Sequence, residues 1–239
     1  MSHSIKSYLV DNCGLWLDRR GAAGFLGKPA LFLDRDGVIV EETHYLGRAE
    51  DVSMIPTAGS CVRRANLEGI PVVVVTNQAG IGRGYYDWAG FAAVQTRIDE
   101  HLEGECARLD MILACAYHSD GKPPFDKNDH PWRKPRDGMI QAAQSELGVD
   151  LEKSLIIGDK ISDLKSGEAA GIGFGVLVRT GHGAEEEPRF DPDHFGIMKT
   201  GIADDIEAAY QAALSAGWLQ HFTTNCGAST GYPPRVQVD

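Results

Sequence analysis

The chain has 239 residues, 43% hydrophobic and 24% charged, which is enough to bury the core of an ordinary globular protein. Its formal charge of −11 argues against general binding to nucleic acid or to an anionic membrane, because both rely on Lys and Arg. No apolar run approaches the roughly 20 residues that span a bilayer. Five scattered cysteines, and no stretch resembling a signal peptide, are typical of a reduced cytoplasmic protein.

The pattern of the chain divides it into three segments. Residues 1–28 contain one apolar cluster, LWL at 15–17, and we expect them to form an N-terminal leader. Residues 29–217 are expected to form a single domain. Residues 218–239 show no clear periodicity and are interpreted as a C-terminal tail.

Five short apolar segments alternate with helical patterns in the central region. The predicted strands cover 30–34, 71–77, 111–117, 154–159 and 174–178. The predicted helices follow Thr57, Asp87 and Asp137 as N-caps, cover 162–170, and end with an apolar stripe from Ile202 to Leu214. Such alternation predicts an α/β fold with a doubly wound parallel sheet, which binds ligands at the carboxyl ends of its strands.

Polar side chains stand where the predicted strands end. Asp34 and Asp36 follow the first strand, Thr76 ends the second, and Asp159 ends the fourth. Lys134 follows a polar, Pro-rich loop. Because parallel strand ends lie side by side, these groups are expected to converge. An Asp-x-Asp pair alone is often only a turn or a helix cap. The prediction of a reacting site therefore depends on Thr76, Asp159 and Lys134 as well.

The predicted cluster suits phosphoryl transfer. Mg²⁺ prefers hard oxygen ligands, and a carboxylate such as Asp34 can attack phosphorus to form an aspartyl-phosphate. A lysine neutralises charge on the transferring group. A second acid two residues on, Asp36, can protonate the leaving oxygen and then activate water.

Four motifs in order resemble those of the haloacid dehalogenase (HAD) superfamily of phosphohydrolases: DRDGV (34–38), TNQ (76–78), RKP (133–135) and GDKISD (158–163). The resemblance implies a Rossmann-like HAD fold and a magnesium-dependent phosphomonoesterase. No bulky insertion follows the first or second motif, so we expect a capless enzyme.

The resemblance also assigns roles. Asp34 is expected to be the nucleophile, Asp36 the general acid and base, and Thr76 and Lys134 the groups that hold the phosphoryl group. Asp34, Asp159 and the main-chain carbonyl of Asp36 are expected to bind Mg²⁺. The second acid of the fourth motif, at position 163, is expected to support this site or to cap its helix.

Longer segments, including TNQAGIGRG (76–84) and RKPRDGM (133–139), resemble the branch that acts on heptose bisphosphates and histidinol phosphate. This resemblance implies a small sugar phosphate, first of all heptose 1,7-bisphosphate losing its 7-phosphate. Histidinol phosphate or another small metabolite is the alternative. A phosphate-sensing or scaffold protein on a phosphatase fold is the non-enzymatic one. We expect no nucleic-acid or membrane partner, and a monomer or small homo-oligomer.

Five residues are candidate substrate contacts: Asn77, Arg133, Arg83, His44 and Tyr45. Arg133 is our first choice for a non-reacting phosphate, because a planar guanidinium binds phosphate with two donors. His44 and Tyr45 are candidates for sugar contacts, and an ordinary surface loop is an equally good interpretation of both.

The family often holds a structural zinc before its third motif, with the pattern Cys-x-His followed by Cys-x-Cys. Cys115 matches, but Tyr117 replaces the histidine and His118 comes one residue late. His130 and Trp132 replace the paired cysteines, and tryptophan is not a zinc ligand. We therefore expect no structural zinc, with an incomplete site of Cys115, His118, His130 and a nearby Asp as the alternative.

Overall fold

The computed structural model of the chain describes residues 5–21 and 24–220. Its centre is a seven-stranded sheet in the order β1-β4-β3-β2-β5-β6-β7. The strands are β1 Leu15–Arg19, β2 Leu31–Leu33, β3 Val72–Asn77, β4 Met111–Cys115, β5 Leu155–Gly158, β6 Phe174–Val178 and β7 Lys199–Ala203. All neighbours pair in parallel except β1, which runs antiparallel to β4 at one edge.

Helices cover both faces of the sheet. They are α1 Ala58–Leu67, α2 Ala79–Arg83, α3 Trp88–Gly104, α4 Gly138–Leu147, α5 Ile161–Ala170, α6 Gly183–Glu186 and α7 Ile206–Ser215. Short 3₁₀ helices lie at Ile5–Tyr8, Ala49–Asp51, Glu187–Arg189 and Pro192–Phe195. In the described part of the chain no separate folded unit follows the first or second motif. The capless, doubly wound α/β fold is confirmed.

Strand β3 shows why this sheet is central. Val72 and Val74 enter the apolar core that α1, α3 and α7 cover, and Val73 and Val75 enter the core on the opposite face. All four side chains are fully buried. A strand with apolar residues on both faces is stable only between two helical layers, so the run of valines fixes its place.

The structure corrects the sequence analysis at both edges of the sheet. Leu15–Arg19 forms β1, so the sheet begins inside the segment that we expected to be a leader. Ile202 lies in β7 and not in the last helix, which begins at Ile206. Asp205 caps that helix, because its side chain accepts a hydrogen bond from the Ala208 amide at 2.9 Å.

The helix starts agree with the predicted caps to within a residue, but the caps differ in kind. The side chain of Asp87 accepts from the Gly90 amide at 2.9 Å, as a capping residue does. Thr57 and Asp137 precede α1 and α4 without a side-chain capping bond. None of the helices in residues 5–21 and 24–220 combines the length and hydropathy needed to cross a bilayer.

Candidate active site

The strand ends converge as predicted, at the carboxyl edge of β2, β3 and β5. Asp34 follows β2 directly and its amide still donates to the Ile157 carbonyl of β5 at 3.1 Å. A cavity of about 530 Å³ opens there. Its lining includes Asp34, Asp36 and Lys134. Thr76 and Asp159 lie beneath this surface and are almost fully buried.

Lys134 is the cation at the floor of the cavity. Its Nζ lies 2.9 Å from Asp34 Oδ1 and 2.7 Å from Asp163 Oδ1, and it donates to the Val75 carbonyl at 2.8 Å. Burial alone would lower the pKa of Lys134, but the two carboxylates raise it. The side chain is therefore a fixed positive charge beside the carboxylate of Asp34.

Three buried carboxylates meet next to this lysine. Asp34, Asp159 and Asp163 each place one oxygen within 4.8 Å of the others. Burial, followed by repulsion from Asp34 and Asp163, raises the pKa of Asp159 to about 8. Within the described residues Asp159 Oδ1 has no hydrogen-bond partner, while Oδ2 accepts from the His182 amide at 2.9 Å.

An unpaired carboxylate oxygen is costly inside a protein, and a divalent cation with hard oxygen ligands removes that cost. The cluster therefore fits a metal ion such as Mg²⁺. A second group overlaps it, because Asp159, Glu42 and His182 also place one ligand atom each within 4.8 Å. His182 Nδ1 lies 3.3 Å from Asp159 Oδ2 and 3.7 Å from Glu42 Oε2.

Asp36 is held by two side chains from the first and second motifs, Arg35 and Gln78. The Arg35 guanidinium donates to Asp36 Oδ1 from Nε at 3.1 Å and from Nη2 at 2.9 Å. The Gln78 amide donates to Asp36 Oδ2 and to Thr76 Oγ1, both at 2.9 Å. Tyr86 in turn donates its hydroxyl to Gln78. This network fixes the orientation of the Asp36 carboxylate.

Arg35 itself is only 1% exposed and lies over the Phe91 ring, 5.2 Å from its centroid. Its position inside the first motif was visible in the sequence. Glu42 and His182 belong to no motif that we recognised, but His182 follows the end of β6, where the strand-end rule points.

The candidate substrate contacts do not all face the cavity. His44, Tyr45, Asn77 and Arg133 line it, whereas Arg83 lies outside its lining. His44 and Tyr45 have φ angles of 36° and 66°, a conformation rare for residues other than glycine.

Arg83 is engaged elsewhere on the surface. It donates to Asp120 at 3.1 Å and to the Tyr45 hydroxyl. Among residues 5–21 and 24–220 no carboxylate lies within 4.0 Å of Arg133, whose Nη1 donates to the Tyr117 carbonyl at 3.0 Å. Arg133 is thus a partly buried cation that lines the cavity and forms no ion pair with the described residues. Burial lowers its pKa, and the more distant carboxylate of Asp120 acts to raise it.

Side-chain packing and hydrogen bonds hold the loop before the third motif. Cys115 is fully buried at the end of β4, and burial raises the pKa of its thiol to about 11. Tyr117 stacks on the His130 ring with centroids 4.5 Å apart. His118 Nδ1 accepts from the Asp120 amide at 2.9 Å. The expectation that no structural zinc is bound stays a prediction.

Comparisons with known proteins agree with this geometry. The HAD-hydrolase-like family model matches residues 131–209. A relative from Mesorhizobium japonicum, a D-glycero-β-D-manno-heptose-1,7-bisphosphate 7-phosphatase, is 48% identical over 166 residues, which are 69% of this chain and 76% of that protein. The chain belongs to the HAD-like phosphatases. A Yersinia pestis relative of the same name is 37% identical over 183 residues, covering 77% of this chain and 97% of its own.

Two solved structures extend the likeness to the fold. A HAD-like phosphatase from Mesorhizobium loti has a TM-score of 0.69 and 46% identity, covering 72% of this chain and 82% of its own. The D,D-heptose 1,7-bisphosphate phosphatase of B. bronchiseptica was solved with magnesium and phosphate. Its TM-score is 0.67 at 25% identity, and the match covers 79% of this HAD-like phosphatase and 99% of that chain.

Proposed function

We propose that this enzyme is a magnesium-dependent D-glycero-D-manno-heptose-1,7-bisphosphate 7-phosphatase. The observation that carries the proposal is the pair of adjacent cations at the cavity. Lys134 is neutralised by the carboxylates of the reacting centre, whereas Arg133 has no ion-pair partner in the described residues. A site with one cation for the transferred phosphate and one free cation beside it suits a substrate with two phosphates.

The reaction begins with Asp34. Its carboxylate attacks phosphorus, the bond from phosphorus to the sugar oxygen breaks, and Asp36 in its acid form gives that oxygen a proton. Lys134 stabilises the charge that builds on the phosphoryl oxygens, since its Nζ already lies 2.9 Å from Asp34 Oδ1. Asp36, now a carboxylate, takes a proton from a water molecule whose oxygen attacks the phosphorus of the aspartyl-phosphate. The bond from phosphorus to the Asp34 oxygen breaks, which releases inorganic phosphate and restores the Asp34 carboxylate.

The residues that would hold Mg²⁺ are Asp34, Asp159 and the main-chain carbonyl of Asp36. When bound, the ion supplies charge neutralisation for the phosphoryl oxygens and for the buried carboxylates. Asp163 keeps Lys134 in place and also accepts from the Lys160 amide at 3.0 Å, which caps α5. These two contacts support the roles that the resemblance implied for Asp163, which are to support the site and to cap its helix.

Arg133 is our candidate for the non-reacting phosphate, and His44 and Tyr45 are candidates for sugar hydroxyls. Thr76 is proposed to help orient the phosphoryl group through its hydroxyl, which the Gln78 amide already holds at 2.9 Å. Arg83 is proposed to act on the substrate indirectly, by donating to the Tyr45 hydroxyl and so holding the Tyr45 side chain.

Phosphate release is the direct test. We would compare the β and α anomers of D-glycero-D-manno-heptose 1,7-bisphosphate with histidinol phosphate, each with Mg²⁺. We expect a kcat/KM above about 10⁴ M⁻¹s⁻¹ on a heptose anomer, at least tenfold above histidinol phosphate. Similar low rates on all three substrates would refute the substrate assignment. They would leave the phosphatase class intact.

We further propose that the enzyme works in the cytoplasm without nucleic-acid or membrane partners, as a monomer or small homo-oligomer. The net charge of −11 supports the first part, since it opposes binding to anionic surfaces. Light scattering after gel filtration tests the oligomeric state, and an assembly larger than a tetramer would contradict it.

A further inference from the structure

A loop near the N-terminus contacts the base of the loop that carries Arg133. Asp11 lies in the turn before β1, and its Oδ2 accepts a hydrogen bond from the Tyr117 hydroxyl at 2.5 Å. Its other oxygen, Oδ1, accepts from three backbone amides at 2.9 to 3.0 Å. These are the amides of Cys13, Gly14 and Leu15. The carboxylate is therefore fixed by its own turn before it meets Tyr117.

The Tyr117 ring is enclosed on every side that the structure describes. His130 stacks on it with an interplanar angle of 18°, and Lys127 Nζ lies 4.4 Å from its centroid. A Cβ added at Gly14 would lie 2.6 Å from Tyr117 Cζ. The side chain is 2% exposed, so its position depends on each of these neighbours.

Electrostatics also favour the hydrogen bond between Tyr117 and Asp11. Burial would raise the pKa of Asp11, but the bonds from Tyr117 and the backbone amides lower it. Burial and the bond to Asp11 raise the pKa of Tyr117. The hydroxyl is thus a donor to an ionised carboxylate, which is a stronger bond than one between neutral groups.

Tyr117 reaches the cavity through its main chain. Its carbonyl accepts from Arg133 Nη1 at 3.0 Å, the bond that orients this guanidinium. The residue before Arg133 contacts the ring that stacks on Tyr117, because the Trp132 amide donates to His130 Nδ1 at 3.2 Å. Arg133 is therefore bonded directly to the Tyr117 carbonyl, and the residue before it is linked to the Tyr117 ring through His130.

We infer that Asp11 and Tyr117 are positioning residues that hold Arg133 toward the cavity, so that the N-terminal turn sets the preference for a second phosphate. The inference rests on the proposed bisphosphate substrate. The pair lies outside the four motifs and does not touch the carboxylates of the reacting centre. Its loss is expected to change recognition of the second phosphate and to leave the transfer step unchanged.

The test measures a preference ratio, which is kcat/KM on heptose 1,7-bisphosphate divided by kcat/KM on p-nitrophenyl phosphate. Asp11→Asn and Tyr117→Phe should each lower this ratio about 5- to 20-fold through a higher KM, as expected for a lost hydrogen bond to a charged group. Arg133→Ala should lower it at least as far. Adding Tyr117→Phe to Arg133→Ala should then cost no more than about twofold.

Tyr210→Phe is the matched control, because Tyr210 is a buried tyrosine whose hydroxyl donates to Glu68 at 2.6 Å away from the cavity. It should lower the melting temperature and leave the ratio unchanged. If Tyr117→Phe does not fold, Asp11→Asn decides alone. Unchanged ratios in both variants, or equal loss on both substrates, overturn the inference. A wild-type enzyme without preference for the bisphosphate instead refutes the proposed substrate.

Discussion

The side chain of Asn77 and the main chain of Lys134 exchange two hydrogen bonds. Asn77 Nδ2 donates to the Lys134 carbonyl and the Lys134 amide donates to Asn77 Oδ1, both at 3.1 Å. Asn77 ends β3, whereas Lys134 follows a long polar loop, so this pair joins the loop to the sheet. The sequence indicated Asn77 as a substrate contact, but in the structure its amide holds the lysine that faces Asp34.

Asn77→Ala is expected to lower kcat about 10- to 100-fold, because the Lys134 ammonium loses the anchor that aims it at the phosphoryl group. The loss should be equal on the bisphosphate and on p-nitrophenyl phosphate. The control is Asn66→Ala, which removes a side-chain bond to the Arg108 amide at 2.8 Å and should leave kcat unchanged. A change in KM alone for Asn77→Ala would favour the original substrate-contact interpretation.

Gln78→Met is expected to lower kcat about tenfold or more, with little change in KM. The substitution keeps the length of the side chain but removes the donor to Asp36 Oδ2, and the acid then loses its orientation. Gln95→Met is the matched control, since Gln95 is equally buried in α3 and bonds Asp99 at 3.3 Å. Equal kinetic losses in both variants would contradict a role for Gln78 in orienting Asp36.

Asp34→Asn is expected to abolish turnover, with kcat reduced at least about 10⁴-fold, because an amide does not form the aspartyl-phosphate intermediate. The fold should survive, since an amide is nearly the same size as the carboxylate. Circular dichroism checks the fold and phosphate release checks the activity. The exposed pair of Asp204 with Arg179 provides a control, and Asp204→Asn should retain full activity. Measurable turnover by Asp34→Asn would refute the nucleophile assignment.

The centre of the fold and the reacting groups followed from the sequence for one physical reason. Apolar runs predict buried strands, and parallel strands bring their carboxyl ends to the same edge of the sheet. Asp34, Thr76 and Asp159 could therefore be placed together before the structure was known. Their detailed partners, such as Gln78 for Thr76, depend on side-chain orientation, which no spacing rule provides.

The edges of the sheet did not follow from the sequence, because edge strands bury less. In β7 only Ala203 is buried, and Gly201 interrupts the pattern. In β1 the burial of Leu15 and Trp16 depends on pairing with β4, which lies about 100 residues away along the chain. Asp11 and Tyr117 could not be paired from sequence for the same reason.

Elemental analysis should find less than one zinc per chain. Tyr117 and His130 stack face to face, and His130 Nδ1 accepts from the Trp132 amide at 3.2 Å. The loop before the third motif is therefore held by ring stacking and hydrogen bonds between its own residues. Cys115 is buried and its raised thiol pKa opposes the thiolate that zinc needs. Addition of EDTA should also leave the melting curve unchanged in a buffer without added Mg²⁺. One tightly held zinc per chain would contradict this prediction.

The stability of the metal-free protein should fall as pH rises through the raised pKa of Asp159. That pKa is about 8 in the folded protein and about 3.9 in an unfolded chain. The folded state therefore binds the extra proton, and the stability it contributes is present below about pH 4 and lost toward pH 8. The slope from this group is at most about 1.4 kcal/mol per pH unit.

Melting temperatures with EDTA and with Mg²⁺ between pH 5.5 and 8.5 measure this effect. Without Mg²⁺ the melting temperature should decline with rising pH and level off above about pH 8. With Mg²⁺ it should rise relative to the EDTA curve, and the gap should widen up to about pH 8, because the ion binds the ionised carboxylate. Asp159→Asn should remove both the decline and the widening gap. A gap that is independent of pH in the wild type would show that Asp159 is already ionised without metal.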